Sequence, residues 1–265
     1  MKKTMIPKII HFCWLSGDDY PELIKKCMES WKTKLPDYEF VLWDTKKFDI
    51  NATLWTKQAF DKKKYAFAAD YIRLYAVYKY GGIYLDTDVE VLKKFDDFLS
   101  LPYFIGNQYD GFPEAAIFGA EKNADWLQEC LKYYKNRSFV KEDGSLDTVV
   151  LPEIMQSQIK KTKTIALMTP SDIKNISKTI INNNTLYLFP SEYFSPKNFK
   201  TNKILKTKNS YTIHHYDSAW LSFMNKKRLK LESLIGVSNA ERVIKFLALR
   251  KIVKSIKTAL HKLNE

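Results

Sequence analysis

The residues with the clearest chemical potential are Asp86 and Asp88, set two apart in the run Ile83-Tyr84-Leu85-Asp86-Thr87-Asp88-Val89. On a strand, side chains at i and i+2 point to one face about 6–7 Å apart. Two carboxylates so placed can share a divalent cation and the ligand it carries, which makes the run a seat for a metal-diphosphate. Acids inside an apolar strand are costly to bury unless a cation or hydrogen bonds compensate them, whereas a lone Asp-x-Asp is most often a solvated outer face. Upstream, Asp70 and Arg73 stand three apart, on one face of a helix. A guanidinium there can stabilise negative charge as a phosphate departs.

The elements that must position these groups follow from apolar spacing and from glycines. Lys8 to Leu15, with Ile9 and Ile10, reads as a buried first strand closed by Ser16-Gly17-Asp18. A helix over Pro21 to Lys32 and a strand over Tyr38 to Trp43 complete a β-α-β unit, the building block of parallel α/β sheets. Such sheets bind ligands beyond the carboxyl ends of their strands. Lys62 to Tyr80 has helical spacing, Gly81-Gly82 supplies the positive φ that stops a helix, and Ile83 to Val91 follows as one central strand. Further on, the pattern predicts strands at Tyr103–Ile105, Ala115–Gly119, Thr185–Phe189 and Tyr211–His215, and a helix over Asn123–Tyr134.

A chain of 265 residues, 45% of them hydrophobic, can bury a sizeable core. Its three cysteines, Cys13, Cys27 and Cys130, fall at unrelated spacings without a Cys-x-x-Cys pair. That argues against a disulfide framework or zinc knuckle and for a reducing compartment. The apolar stretch after the opening lysines is interrupted by Pro7, Lys8 and His11, unlike a signal peptide, and no run reaches the roughly 18 apolar residues of a membrane span. The expected location is therefore cytoplasmic, or peripheral on the cytoplasmic face of a membrane.

Three blocks, in order, carry a family resemblance: Ile6-Pro-Lys-Ile-Ile-His11-Phe-Cys13-Trp14, the run from Asp70 and Arg73 through Gly81-Gly82 to Asp86-Thr-Asp88, and His214-His215-Tyr-Asp-Ser218-Ala-Trp220. The middle block closely resembles the DXD region of the sugar transferases grouped as glycosyltransferase family 32. These include capsular polysaccharide transferases and yeast-type initiating mannosyltransferases, with the glucosylating bacterial toxins as distant relatives. The first block resembles that family's first strand, and the last is similar to its closing His-x-x-x-Ser-x-Trp element. Residues 107 to 200 show no match to the family's acceptor-side elements.

The resemblance implies a GT-A fold: a Rossmann-like α/β domain with a mostly parallel central sheet and flanking helices, here over residues 1–225. It implies a retaining hexosyltransferase that uses Mn2+ or Mg2+, with a nucleotide-sugar donor, UDP-hexose or UDP-N-acetylhexosamine favoured, and a glycan or lipid-linked glycan acceptor in surface or capsular polysaccharide synthesis. By position, Trp14 stacks on the donor base with Cys13 beside it. Asp70 and Arg73 hold sugar hydroxyls and leaving group, Tyr84 and Asp86 the ribose and metal shell, and Asp88 the metal. Alternation lets only one of His214 and His215 face the site. His215 is the expected metal ligand from its spacing to Ser218 and Trp220, which reach the diphosphate.

The formal charge of +13 fits an anionic partner of any kind, so a nucleic-acid or polyanion binding module is the competing reading. No nucleic-acid-binding motif accompanies the charge, and no nucleic acid is expected as partner. A nucleotide-sugar hydrolase is a third reading, which turnover without acceptor would support. The densest basic stretch is a helical appendix over residues 226–265, where Phe246, Leu249, Val253, Ile256, Leu260 and Leu263 repeat every three or four positions between lysines and arginines. Such a helix can lie in an anionic membrane interface or pack on the domain with its lysines in water.

Overall fold

The computed structural model describes residues 6–108, 111–181, 184–198 and 201–217. Strand β1 (Ile9–Cys13), helix α1 (Glu22–Lys34) and strand β2 (Glu39–Trp43) form the β-α-β unit that the sequence predicts. Helix α2 (Leu54–Asp61), absent from the sequence reading, precedes α3 (Tyr65–Tyr80). The predicted Lys62–Tyr80 helix starts late because Lys63 adopts φ 55°, a left-handed conformation that separates the two helices. Strands β3 (Gly82–Leu85), β4 (Val89–Val91), β5 (Tyr103–Asn107) and β6 (Pro113–Ala120) follow.

Then come α4 (Asp125–Lys132), α5 (Leu151–Ile159), β7 (Thr164–Leu167), α6 (Pro170–Lys174), α7 (Ile176–Thr179), β8 (Thr185–Leu188), α8 (Ser191–Phe194) and β9 (Thr212–His214). Among the described residues no helix is long and apolar enough to cross a membrane. The basic tail over 226–265 lies outside the described residues, as do Ser218 and Trp220.

The central sheet has the order β2-β1-β3-β6-β5. β1 pairs in parallel with β2 and β3, and β6 runs antiparallel to both β3 and β5. Four of the five strands therefore share one direction, and the α/β expectation with a mainly parallel sheet holds. β3, flanked by β1 and β6, is the middle strand. Alternation along β1 sorts the layers: the Phe12 ring packs edge-on against Trp31 of α1, whereas the His11 ring lies 6.3 Å from that of Tyr80 in α3. α1 and α3 thus cover opposite faces.

The corner between α3 and β3 is tight. Gly81, at φ 69°, closes the helix through its N–H to Val77 O, and a Cβ on Gly82 would sit 2.8 Å from Ile9 O. His11 clamps the same corner, its Nε2 2.8 Å from Gly81 O and its Nδ1 accepting from Trp43 Nε1 at 3.1 Å. Beyond this corner the structure departs from the single strand predicted over Ile83–Val91. The Asp86 N–H still bonds Ala116 O of β6 at 2.8 Å, but Val89 N–H then donates to Asp86 O at 3.0 Å, turning the chain at Asp86-Thr87-Asp88. β4 leaves the central sheet and pairs antiparallel with β9 instead.

Candidate active site

The turn puts Asp86 and Asp88 at the carboxyl end of the middle strand, where sheets of this class open to ligands. The two aspartates are therefore not strand neighbours on one face, as the spacing suggested. They converge because the backbone reverses between them, and both are half-buried.

Asp86 is fastened by groups that precede it closely in the chain. Arg73 Nη1 donates to Asp86 Oδ2 at 3.0 Å and to Ala115 O at 2.9 Å, and Tyr84 Oη donates to Asp86 Oδ1 at 2.8 Å. Arg73 also pairs with Asp70, Nη2 to Oδ1 at 3.2 Å, and its guanidinium carbon lies 4.7 Å from the centre of the Tyr84 ring. Burial disfavours the Arg73 charge, but Asp86, Tyr84 and Asp70 together outweigh that and raise its pKa. Burial likewise pushes the Asp70 carboxyl up to about 7, Arg73 pulling the other way and Asp86 adding to the rise. Arg73 Nε is buried, with no hydrogen-bond partner among the described residues.

Cys13 ends β1 beside this group. Its thiol is pushed up to about 12 by burial, with Arg73 and Tyr84 opposing, which favours the protonated thiol over the thiolate. Trp14 follows at the same sheet edge. Its Nε1–H donates to Asp18 O at 2.7 Å, and its ring lies 4.8 Å from that of Tyr20. The first block of the sequence thus borders the site, with the Trp14 indole N–H already spent on its own loop.

Asp88 is held by groups far along the chain. His215 N–H donates to Asp88 O at 3.0 Å, and Asp217 N–H donates to Asp88 Oδ2 at 2.8 Å. The antiparallel register that sets Val89 opposite His214 also decides which histidine faces the acids. His214 Nε2 lies 3.6 Å from Asp88 Oδ1, whereas His215 turns away and places its Nε2 2.9 Å from Glu90 Oε2. The expectation of His215 is corrected on this point: strand alternation sends its side chain to the other face of the β4–β9 pair. His214 is pushed up to about 9; burial works against its charge, but Asp88 and Glu114 more than offset it.

Glu114, on β6, escaped the sequence reading. It is 1% exposed, accepts hydrogen bonds from the Ala116 N–H and the Ser195 hydroxyl, and lies with Oε1 3.5 Å from His214 Nδ1. Burial alone would raise its pKa, but His214 and these donors hold it lower. The signal was present: an acid at the head of the apolar run Pro113 to Ala120, of the same kind that singled out Asp86. The sequence pattern starts the strand at Ala115, one residue past Glu114, whereas the strand runs from Pro113.

Asp86, Asp88 and His214 each offer one ligand atom, all within 4.8 Å of one another. Ligand atoms on opposite sides of a divalent cation stand about 4–5 Å apart at ordinary bond lengths, so the three can close on one ion. Two carboxylates with one imidazole suit manganese or magnesium better than a thiolate-preferring metal.

Comparison with known proteins adds to this geometry. Residues 21–105 match the family described as glycosyltransferase sugar-binding region containing DXD motif. The inositol phosphoceramide mannosyltransferase 3 of Schizosaccharomyces pombe is 36% identical over 135 residues, 49% of this chain and 38% of that protein. A mannosyl phosphorylinositol ceramide synthase of Saccharomyces cerevisiae is 33% identical over 108 residues, 39% of this chain and 28% of that protein. The chain thus spans well under half the length of these curated relatives. Among solved structures, the PaToxG glycosyltransferase aligns with TM-score 0.44 and 18% identity, over 66% of this chain and 74% of that one. A glycosyltransferase involved in glycosylation of the major capsid of PBCV-1 aligns with TM-score 0.41 and 11% identity, over 84% of this chain and 100% of that one.

Proposed function

We propose that this protein is a metal-dependent glycosyltransferase, a reading supported by the match of residues 21–105 to the family described as glycosyltransferase sugar-binding region containing DXD motif. It moves a sugar from a nucleotide-sugar to a hydroxyl of a glycan or lipid-linked acceptor, with retention of configuration. The observation that carries this reading is the convergence of Asp86, Asp88 and His214 within 4.8 Å, beside a buried arginine, at the carboxyl end of the middle strand. A bound manganese or magnesium ion supplies positive charge for the diphosphate that leaves the sugar.

The chain's own residues do the rest. Arg73, held by Asp70 and Asp86, is a fixed cation that needs no reorganisation as charge builds on the leaving group. Asp70, tied to Arg73 and with its pKa raised, orients sugar hydroxyls. Transfer on one face, with the departing phosphate taking the acceptor proton, needs no placed nucleophile. Ser218 and Trp220, outside the described residues, are proposed as diphosphate contacts on the family resemblance alone. A site closed to water protects the donor from hydrolysis.

The names of the curated relatives make mannose the first sugar to test, beside the UDP-hexoses and UDP-N-acetylhexosamines. Attachment of the basic tail to the cytoplasmic leaflet belongs to the same proposal. Equal sedimentation of full-length and tail-deleted protein with anionic vesicles would remove it. The catalytic claim is tested by following nucleoside diphosphate release from a panel of nucleotide-sugars with manganese and with a chelator. Release of one sugar's diphosphate that chelation abolishes is expected. Turnover unaffected by the chelator, or none across the panel with acceptor lipids present, would overturn it.

A further inference from the structure

Glu114 sits behind His214, away from the ligand face of the cluster, and its surroundings are unusually determined for a carboxylate. Oε1 accepts the Ala116 N–H at 2.9 Å and faces His214 Nδ1 at 3.5 Å; Oε2 accepts the Ser195 hydroxyl and lies 3.4 Å from Tyr216 Oη. The Tyr216 ring in turn lies 3.8 Å from the His214 ring, centre to centre. An acid this deeply buried, with two further acids on the far side of the same imidazole, is an expensive way to fill space. A glutamine in its place would accept from the Ala116 N–H through its one carbonyl oxygen and donate its amide N–H to the Ser195 oxygen, at less desolvation cost.

A neutral imidazole carries one proton. If that proton sits on Nδ1, toward Glu114, the lone pair of Nε2 points toward Asp88. Without an acceptor behind Nδ1, the ring is free to take the other tautomer or to turn over. Carboxylates that fix ligand histidines in this way are general partners of metal sites. His214 Nδ1 is buried, and no hydrogen bond of good geometry reaches it from the described residues. Glu114 Oε1 is the acceptor facing it.

We infer that Glu114 is a positioning residue, which acts through His214 by orienting its ring so that Nε2 faces Asp88. This rests on the reading of His214 as a metal ligand. It extends that reading to a residue on a different strand, with Ser195 and Tyr216 as the braces of the carboxylate.

The test is a double-mutant cycle read by manganese binding, with the free ion followed by electron paramagnetic resonance on full-length protein without donor or acceptor. Glu114→Gln, which keeps the size of the side chain, is expected to weaken Mn2+ binding roughly 10-fold, and Glu114→Ala up to about 100-fold. In a His214→Gln background the same Glu114→Gln change is expected to alter binding by less than about 2-fold, because its effect runs through the missing ring. Thermal melts accompany each variant, and if Glu114→Ala does not fold, Glu114→Gln decides. Wild-type affinity in Glu114→Gln, or an equal loss in both backgrounds, would overturn the inference while leaving the metal site intact. Unchanged binding in Asp88→Ala would instead overturn the metal-site reading itself, and this inference with it.

Discussion

The two aspartates of the motif are separated by a single residue, yet opposite halves of the chain hold them. Asp86 is wired to its own neighbourhood: Arg73 from α3, Tyr84 from β3 and, through the α3–β3 corner, His11 from β1. Asp88 is held by residues about 125 positions downstream, through the backbone of His215 and Asp217 and the ring of His214. The Asp86 side is preformed by local chain. The Asp88 side exists only when β9 docks on β4, so the site is complete only after a contact of long sequence separation. That second side is a separate two-stranded sheet of three-residue strands (Val89–Val91 with Thr212–His214), whereas the first is anchored in the middle of a five-stranded one.

Substitutions can break this contrast. The largest effect is expected at Arg73. Arg73→Met leaves the buried Asp70 unpaired and takes the guanidinium from the half-buried Asp86, so it should cost roughly 3–5 kcal/mol of stability, read as a lower urea midpoint, as well as turnover. Asp88→Ala should do the reverse. It should lower metal-dependent turnover by about 10^3-fold, on the order of 4 kcal/mol in the barrier, while its melting temperature shifts by only a few degrees.

Smaller changes sharpen the contrast. Gly82→Ala meets Ile9 O and demands φ 107° of an L-residue; a loss of about 1–3 kcal/mol is expected, confined to the preformed side. His215→Ala removes a contact with the partly exposed Glu90 and should cost under about 1 kcal/mol, with manganese binding close to wild type. If His215→Ala instead abolished binding and His214→Ala did not, the assignment of the two histidines would be reversed.

The smallest effect concerns pH. Burial lowers the His11 pKa below its ordinary 6.5, and the Gly81 carbonyl only partly offsets this, so the fold holds the ring neutral. The unfolded chain takes up that proton first as pH falls. The contribution is therefore full above about 6.5 and drains away as pH drops from there toward the folded value. A urea-midpoint series against pH should show this slope in wild type, and His11→Gln should flatten it.

Much of the preformed side could be read in the sequence, and little of the other. The β-α-β opening, the helix stop at Gly81-Gly82 and the pairing of Asp70 with Arg73 depend on spacing within about twenty residues, where helical and strand periods are informative. The turn at Asp86-Thr87-Asp88 reads as continuous strand in the sequence because apolar residues flank it on both sides. Nothing local announces that β4 abandons the central sheet for a partner 125 residues away. Which of His214 and His215 faces the acids is hidden for the same reason: alternation shows that only one faces inward, but the register with β4 decides which. Glu114 was visible as an acid in an apolar run, but its role depends on a histidine a hundred residues later.

The central claim is that Asp86, Asp88 and His214 close on one divalent ion. Its most direct test is anomalous diffraction from crystals soaked with manganese. A single peak within bonding distance of all three side chains is predicted, and a peak that involves His215 and Glu90, or none near the Asp86-Thr87-Asp88 turn at saturating manganese, would contradict it.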